Sequence, residues 1–283
     1  MRGPKSVAAL LGVAAAVTNL AACAPHTLQT IHPLPPTPTL REGLVAHWNC
    51  DESGGDILHD TSGNNHDGQI TGGGTFTTGH FGNALSLQLG QYVTVPSFPN
   101  ATSSWSVSVW TEIPNGGAGA VSLMSTELAG EGGWALRPDV VAQTCTFRFR
   151  VGSYNGVDTY ASRDGLGLSA TDRIIHVVAV VDDQAMTLTL YIDGNVRDHP
   201  VSIPKTISPG LPDLLIGHSG LPEEDYAGLI DDIAIYSRAL SAAEVALLGS
   251  EAAPDLITVP PPITSPPESI DAGESPDAAE ITD

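Results

Sequence analysis

The stretch Ile174–Val181, IIHVVAVV, constrains the fold of this chain more than any other. Side chains alternate across a strand, so Ile175, Val177, Ala179 and Val181 share one face and Val178 and Val180 share the other. Both faces are apolar, and such a strand belongs in the middle of a sheet that is covered on both sides. The next run, Met186–Ile192, alternates Met186, Leu188, Leu190 and Ile192 against Thr187, Thr189 and Tyr191, and closes on an Asp193-Gly194 turn. Similar short runs between turn residues predict strands at Leu44–Trp48, Ala84–Leu89, Tyr92–Val95, Trp105–Ile113, Thr146–Val151 and Leu229–Tyr236. One helix is signalled. Ser241-Ala242-Ala243-Glu244 is a capping box, Val245, Leu247 and Leu248 form a buried side, and Gly249 ends it.

With 283 residues, 41% of them hydrophobic, the chain has material for one sizeable core, and its longest apolar stretch is too short to span a membrane. The net charge of -21 and pI near 4.4 disfavour nucleic acid and anionic membrane surfaces as partners, since both repel such a protein. A cation or a neutral ligand suits it better.

Arg2 and Lys5, the apolar run Val7 to Val17 and then Leu20-Ala21-Ala22-Cys23 resemble a bacterial lipoprotein signal. That resemblance implies removal of residues 1–22, acylation of Cys23, and a lipid anchor in the cell envelope. Ala24 in place of Asp points to the outer membrane or cell surface. The alternative is an ordinary secretory peptide with an incidental Cys. Residues 23–41 then form a Pro-rich tether and 42–250 the folded unit. Residues 251–283, with eight acidic residues and no Lys or Arg, are expected to be a disordered acidic tail or, alternatively, a strap on the domain.

Several runs carry a second resemblance: Leu44-Val45-Ala46-His47-Trp48 leading to Asp51-Glu52, Asp60-Thr61-Ser62-Gly63-Asn64, Phe81-Gly82-Asn83-Ala84-Leu85, Leu190-Tyr191-Ile192-Asp193-Gly194, and Gly228 through Ser241. Together they resemble a laminin G-like domain. The resemblance implies an all-β, concanavalin A-like jelly-roll sandwich of two antiparallel sheets with one short C-terminal helix, a fold that hosts lectins, adhesive modules and some glycan-cleaving enzymes.

Chemistry can be tested residue by residue. From Asp60 the sixth position is Asn65, where an EF-hand needs Gly. His47, His59, His66 and His80 match no zinc spacing. Calcium, which takes carboxylates, amides and carbonyls, fits the acidic loop better. The family resemblance implies a structural calcium held by Asp51, Asp60, Asp231 and Asp232. Alternation sets Asp231 on the side of Ile233 and Ile235 and leaves Asp232 the more exposed, whereas Asp60 and Asn64 have the alternative of bonding their own turn. Catalysis is disfavoured, because no Glu-x-Asp-x-x-Glu run exists and Gly217-His218-Ser219-Gly220 lacks the spacing of a nucleophile elbow.

Glycan sites pair an aromatic with Asp, Asn or Arg. Two places qualify: Arg148 and Arg150, opposite Phe147 and Phe149 and beside Tyr191 and Trp110, or the segment around Tyr154 with Tyr160. Cys50 and Cys145 lie on apolar faces, where they form a disulfide or remain buried thiols. The expected function is a non-catalytic, lipid-anchored binding or adhesion protein for a glycan or cell-surface protein. A structural module of an envelope complex and a glycan-active hydrolase are the alternatives.

Overall fold

The computed structural model describes residues 40–101, 103–112, 119–127, 132–141, 144–152, 159–162, 168–169, 173–196, 200–203, 208–219 and 224–250. Cys23, most of the tether, the acidic tail and Tyr154 lie outside the described residues, and of Tyr160 only the backbone is described.

The described strands form two sheets, one of nine strands and one of ten, and every pairing between them is antiparallel. In the first sheet Ile174–Asp182 lies between Trp105–Glu112 and Thr187–Ile192, the interior place its two apolar faces predict. Gly228–Tyr236 follows on the other side of Trp105–Glu112, then Asn83–Leu87 and Thr75–Thr78, while Leu44–Trp48 also pairs with Gly228–Tyr236. The second sheet runs from Thr159–Ser162 through Thr144–Val151, Trp134–Val141, Met124–Ser125, Leu214–Ile216, Tyr92–Val95 and Gly68–Thr71 to Ile57–Leu58.

The inner faces meet in a core that includes Trp48, Leu85, Val107, Val109, Phe147, Phe149, Val177, Ala179 and Ile235. The outer face of the first sheet is covered too. Val178, Val180, Ala234 and Tyr236 pack there against Val245 and Leu248 of the helix Ala242–Leu248 and against Leu40 and Leu240. Ser241 caps this helix as its sequence predicts, accepting from the Glu244 amide while the Glu244 carboxylate accepts from the Ser241 amide.

The disulfide is not formed. Cys50 and Cys145 are both free and buried. Cys50 sits in a left-handed turn (φ 56°) just past the first-sheet strand Leu44–Trp48, with its Sγ 3.8 Å from the Trp48 carbonyl oxygen. Cys145 belongs to a second-sheet strand, in register with Val140 and Leu168, and its Sγ turns to the carbonyl oxygen of Thr146 at 3.7 Å. Each thiol turns to a main-chain carbonyl of its own segment. Burial, joined by the Asp231 and Glu52 carboxylates, pushes the Cys50 thiol well up, and burial pushes that of Cys145 to about 12. Neither is therefore a thiolate at neutral pH. Iodoacetamide is expected to label neither in the folded protein and both after denaturation without reductant; labelling that requires reductant would reverse this assignment.

Candidate functional site

The acidic loop after Leu44–Trp48 covers the edge of that strand which faces away from Gly228–Tyr236. Thr61 donates to the His47 carbonyl from its amide (2.7 Å) and its hydroxyl (2.9 Å), and the Asn64 side-chain amide donates to the carbonyls of Leu44 (3.0 Å) and Val45 (2.9 Å). Asp60 completes the seam: Oδ1 accepts from the amides of His47 and Ser62, and Oδ2 from that of His66. Burial alone would raise the Asp60 carboxyl, but these donors hold it below the usual carboxylate range. Asp60 and Asn64 thus bond the turn and its neighbouring strand, and the loop closes a sheet edge that would otherwise offer free carbonyls.

Asp51 and Asp231 grip a different turn. Asp51 Oδ1 accepts from the Asn83 amide (2.8 Å), and Asp231 Oδ2 accepts from the amides of His80 (2.7 Å) and Phe81 (3.0 Å). The turn is cut to fit them. A Cβ on Gly82, whose φ is 61°, would collide with the Asp51 carboxylate, and one on Gly79 would press against Asp231.

Asp231 is not on the side of Ile233 and Ile235. The ladder between Gly228–Tyr236 and Trp105–Glu112 is bulged between Asp231 and Ala234, and Asp232 there takes a left-handed φ of 44°. Cross-strand partners share a face. Asp231 pairs with Trp110 and Ala234 with Ser108, whereas Ile230 and Ile235 pair with Thr111 and Val107. The bulge inserts one residue and turns both carboxylates to the outer side of the first sheet. Nor is Asp232 exposed: it is buried, with Oδ1 2.8 Å from His47 Nε2.

The expected four carboxylates therefore do not make a calcium shell. Asp60 serves its loop, Asp232 serves His47, and among the described residues no three His, Cys, Asp or Glu side chains are grouped to hold a metal. Two buried oxygens do suit a hard cation, Asp231 Oδ1 and Glu52 Oε2, because neither has a hydrogen-bond donor. Burial raises the Asp231 carboxyl to about 7. Glu52 is a residue sequence reasoning passed over; its adjacency to Asp51 was the available signal.

Trp110 and Tyr191 are not beside Arg148 and Arg150. They belong to the first sheet, on its covered outer face, and the arginines to the second. Trp110 is only 7% exposed, stacked between His80 (centroids 3.5 Å) and His176 (4.9 Å). Tyr191 packs in the cluster beneath the helix. Neither offers a free ring.

The second sheet presents the polar face. Arg137 and Arg148 are paired across neighbouring strands, Arg150 is next along, and Phe147 and Phe149 point into the core as expected. Glu127 is buried and ion-paired with both Arg137 and Arg150; Glu224 takes the other side of Arg137, and Asp139 lies 2.7 Å from Arg148. Arg148 is the most open of these arginines, with 39% of its side chain exposed. Tyr160 is in backbone register with Arg150 on the adjoining strand. Sequence reasoning found two of the arginines but missed Arg137, Glu127 and Glu224, which come from separate segments.

Residues 87–246, more than half of the chain, match the profile of the concanavalin A-like lectin/glucanases superfamily, laminin G group. The chain belongs to this superfamily. No curated protein matches the superfamily member described here. Among solved structures, it is similar to domain 4 of AbnA, an extracellular arabinanase from Geobacillus stearothermophilus, in complex with arabinotriose, with 20% identity, a TM-score of 0.60, and coverage of 73% of this chain and 98% of that one. The binding domain of Paraclostridial Mosquitocidal Protein 1 gives 20% identity and a TM-score of 0.61 over 74% of this chain. The binding domain of botulinum neurotoxin DC, in complex with rat synaptotagmin II, gives 14% and 0.58 over 75%. This laminin G-like chain spans about half, 52%, of each toxin binding domain. At these identities the likeness concerns the fold.

Proposed function

We propose that this superfamily member is a non-catalytic binding protein of the cell envelope, lipid-anchored through Cys23, that recognises a glycan with the outer face of its second sheet. The observation that carries this reading is the paired array of Arg137, Arg148 and Arg150 with Glu127, Asp139 and Glu224 on that face, since fixed guanidinium and carboxylate groups suit the donors and acceptors of sugar hydroxyls. The similar arabinanase domain, solved with arabinotriose, supports a carbohydrate ligand, and the toxin domain solved with synaptotagmin supports a cell-surface protein as the other class of partner.

A glycan array probed with the Cys23→Ser protein is expected to give discrete hits that Arg148→Ala weakens roughly tenfold, the loss of one charged hydrogen bond. An array without hits would overturn the glycan reading, and hits indifferent to Arg148→Ala would move the site elsewhere. In fractionated cells, Cys23→Ser is expected to leave the membrane.

Calcium belongs to the proposal at Asp231 and Glu52 alone, with backbone carbonyls and water completing the shell such an ion takes. Calcium in excess over chelator is then expected to raise the Tm, and to do nothing for Asp231→Asn; an unchanged wild-type Tm would remove the ion.

A further inference from the structure

Gly217-His218-Ser219-Gly220 is no nucleophile elbow, but its histidine belongs to the same outward face as the arginines. Tyr92 and Thr94 alternate with Val93 and Val95, which face the core, so Tyr92 points out of the second sheet. The His218 ring lies against it, with centroids 5.2 Å apart and planes tilted by 31°, and both residues are half-buried. Asp225 fixes this pair. Its Oδ1 is 2.7 Å from His218 Nδ1, and its Oδ2 accepts from the amide of Gly90, in the turn before Tyr92, at 3.0 Å. The adjoining Glu224 is the carboxylate paired with Arg137, and its other oxygen accepts from the Ser219 hydroxyl. The two rings and the arginine array are thus parts of one surface, joined through Glu224 and Asp225. From the strand of Arg148 to that of Tyr92 is four steps across the sheet, roughly 19 Å.

The charges on this surface select its ligand. Arg137, Arg148 and Arg150 are matched by Glu127, Asp139 and Glu224, and Asp225 adds a further carboxylate. An anionic sugar meets no excess of positive charge there, and the net charge of -21 repels it. A cation finds no open carboxylate beside the rings, because both oxygens of Asp225 and both of Glu224 are engaged. His218 Nε2 stays open. The Asp225 carboxylate only accepts, so the neutral imidazole donates from Nδ1 and presents Nε2 as a bare acceptor. Among the described residues no donor reaches Nε2, and 22% of the His218 side chain is exposed.

A ligand for this place needs a flat aliphatic face for the rings, a hydroxyl to donate to Nε2, and no net charge. We infer that Tyr92 and His218 form a subsite for an uncharged sugar ring, and that the ligand is a neutral oligosaccharide which runs on from there to Arg137 and Arg148. This rests on the glycan reading and names the class of glycan.

Calorimetric titration of the Cys23→Ser protein with neutral gluco-, manno-, galacto- and arabino-oligosaccharides, and with counterparts of equal length ending in a uronic or sialic acid, tests it. At least one neutral series is expected to bind, more tightly as the chain lengthens, with no dependence on salt, and roughly tenfold more tightly than its acidic counterpart. Tyr92→Ala is expected to weaken it roughly tenfold, whereas Tyr92→Phe, which keeps the ring, leaves it unchanged. Should Tyr92→Ala lower the Tm, His218→Phe is the second variant: it keeps a ring, removes the acceptor, and is expected to weaken binding roughly tenfold. A preference for the acidic sugars, with affinity that falls as salt is added, would overturn the neutral class while leaving the glycan reading standing. Neutral sugars that bind the wild type, Tyr92→Ala and His218→Phe alike would overturn the subsite and also leave that reading standing. Binding to no sugar would overturn both.

Discussion

In chelator-treated protein, Asp231→Asn is expected to make the fold more acid-labile than the wild type, by about 3 kcal/mol between pH 6.5 and pH 4. Two buried groups oppose each other in this range. Burial raises Asp231 to about 7 from its ordinary 3.8, so the folded state holds a proton the unfolded state has released, and stability falls as pH rises from about 4 to 7. Burial lowers His176 to about 4 from 6.5, so the unfolded state takes up a proton the folded state refuses, and stability falls as pH drops from 6.5 to 4. The groups facing His176 are the Ser108 hydroxyl at 2.8 Å, the Asp232 and Asp193 carboxylates, and His80. Between about pH 4 and 6.5 the two slopes oppose each other. Asn removes one of them while keeping an oxygen for the His80 and Phe81 amides. Urea unfolding across this range checks the expectation: a variant that loses no more stability toward pH 4 than the wild type would overturn it.

Glu127→Ala is expected to lower stability by about 3–5 kcal/mol, a fall of roughly 10 °C in Tm for a domain of this size. Glu127 is buried between Arg137 and Arg150, and its removal leaves two guanidinium groups without the carboxylate they share. Asp139→Ala takes away only the partner of the half-exposed Arg148 and is expected to cost about 1 kcal/mol or less. Thermal denaturation of the two variants together separates the buried pair from the surface pair. Equal losses would mean that Glu127 is braced by packing and not by its charge.

Alternating hydrophobicity located the strands because each residue reports its own face. Leu44–Trp48 and Tyr92–Val95 came out to the residue, and Ser241 with Glu244 placed the helix, because capping is a local hydrogen-bond pattern. Asp231 defeated the same rule: alternation assumes one residue per step, and the left-handed φ of Asp232 inserts an extra one. Alternation sets Trp110 and Arg148 each on the outward face of its own strand, and nothing local says that the two strands belong to different sheets. Which sheet a strand joins is decided by long-range pairing, which no local pattern records. The Glu127 array is invisible for the same reason, since its members come together only when the strands of the second sheet are assembled. Cys50 and Cys145 share apolar surroundings yet turn to separate main-chain carbonyls, a distinction of side-chain direction that composition does not carry.

The pairing of the first strand with the last sets a clock on folding. Leu44 meets Tyr236 and Trp48 meets Ile233, so the opening strand waits for a partner about 190 residues further along the chain. Contacts so distant in sequence form slowly, because loop closure precedes any gain from burial. The N-terminal portion alone has no route to a finished core. A ribosome or a translocation channel delivering this chain from its beginning therefore handles an open polypeptide until nearly the whole domain has emerged, and the sandwich shuts only after delivery is complete.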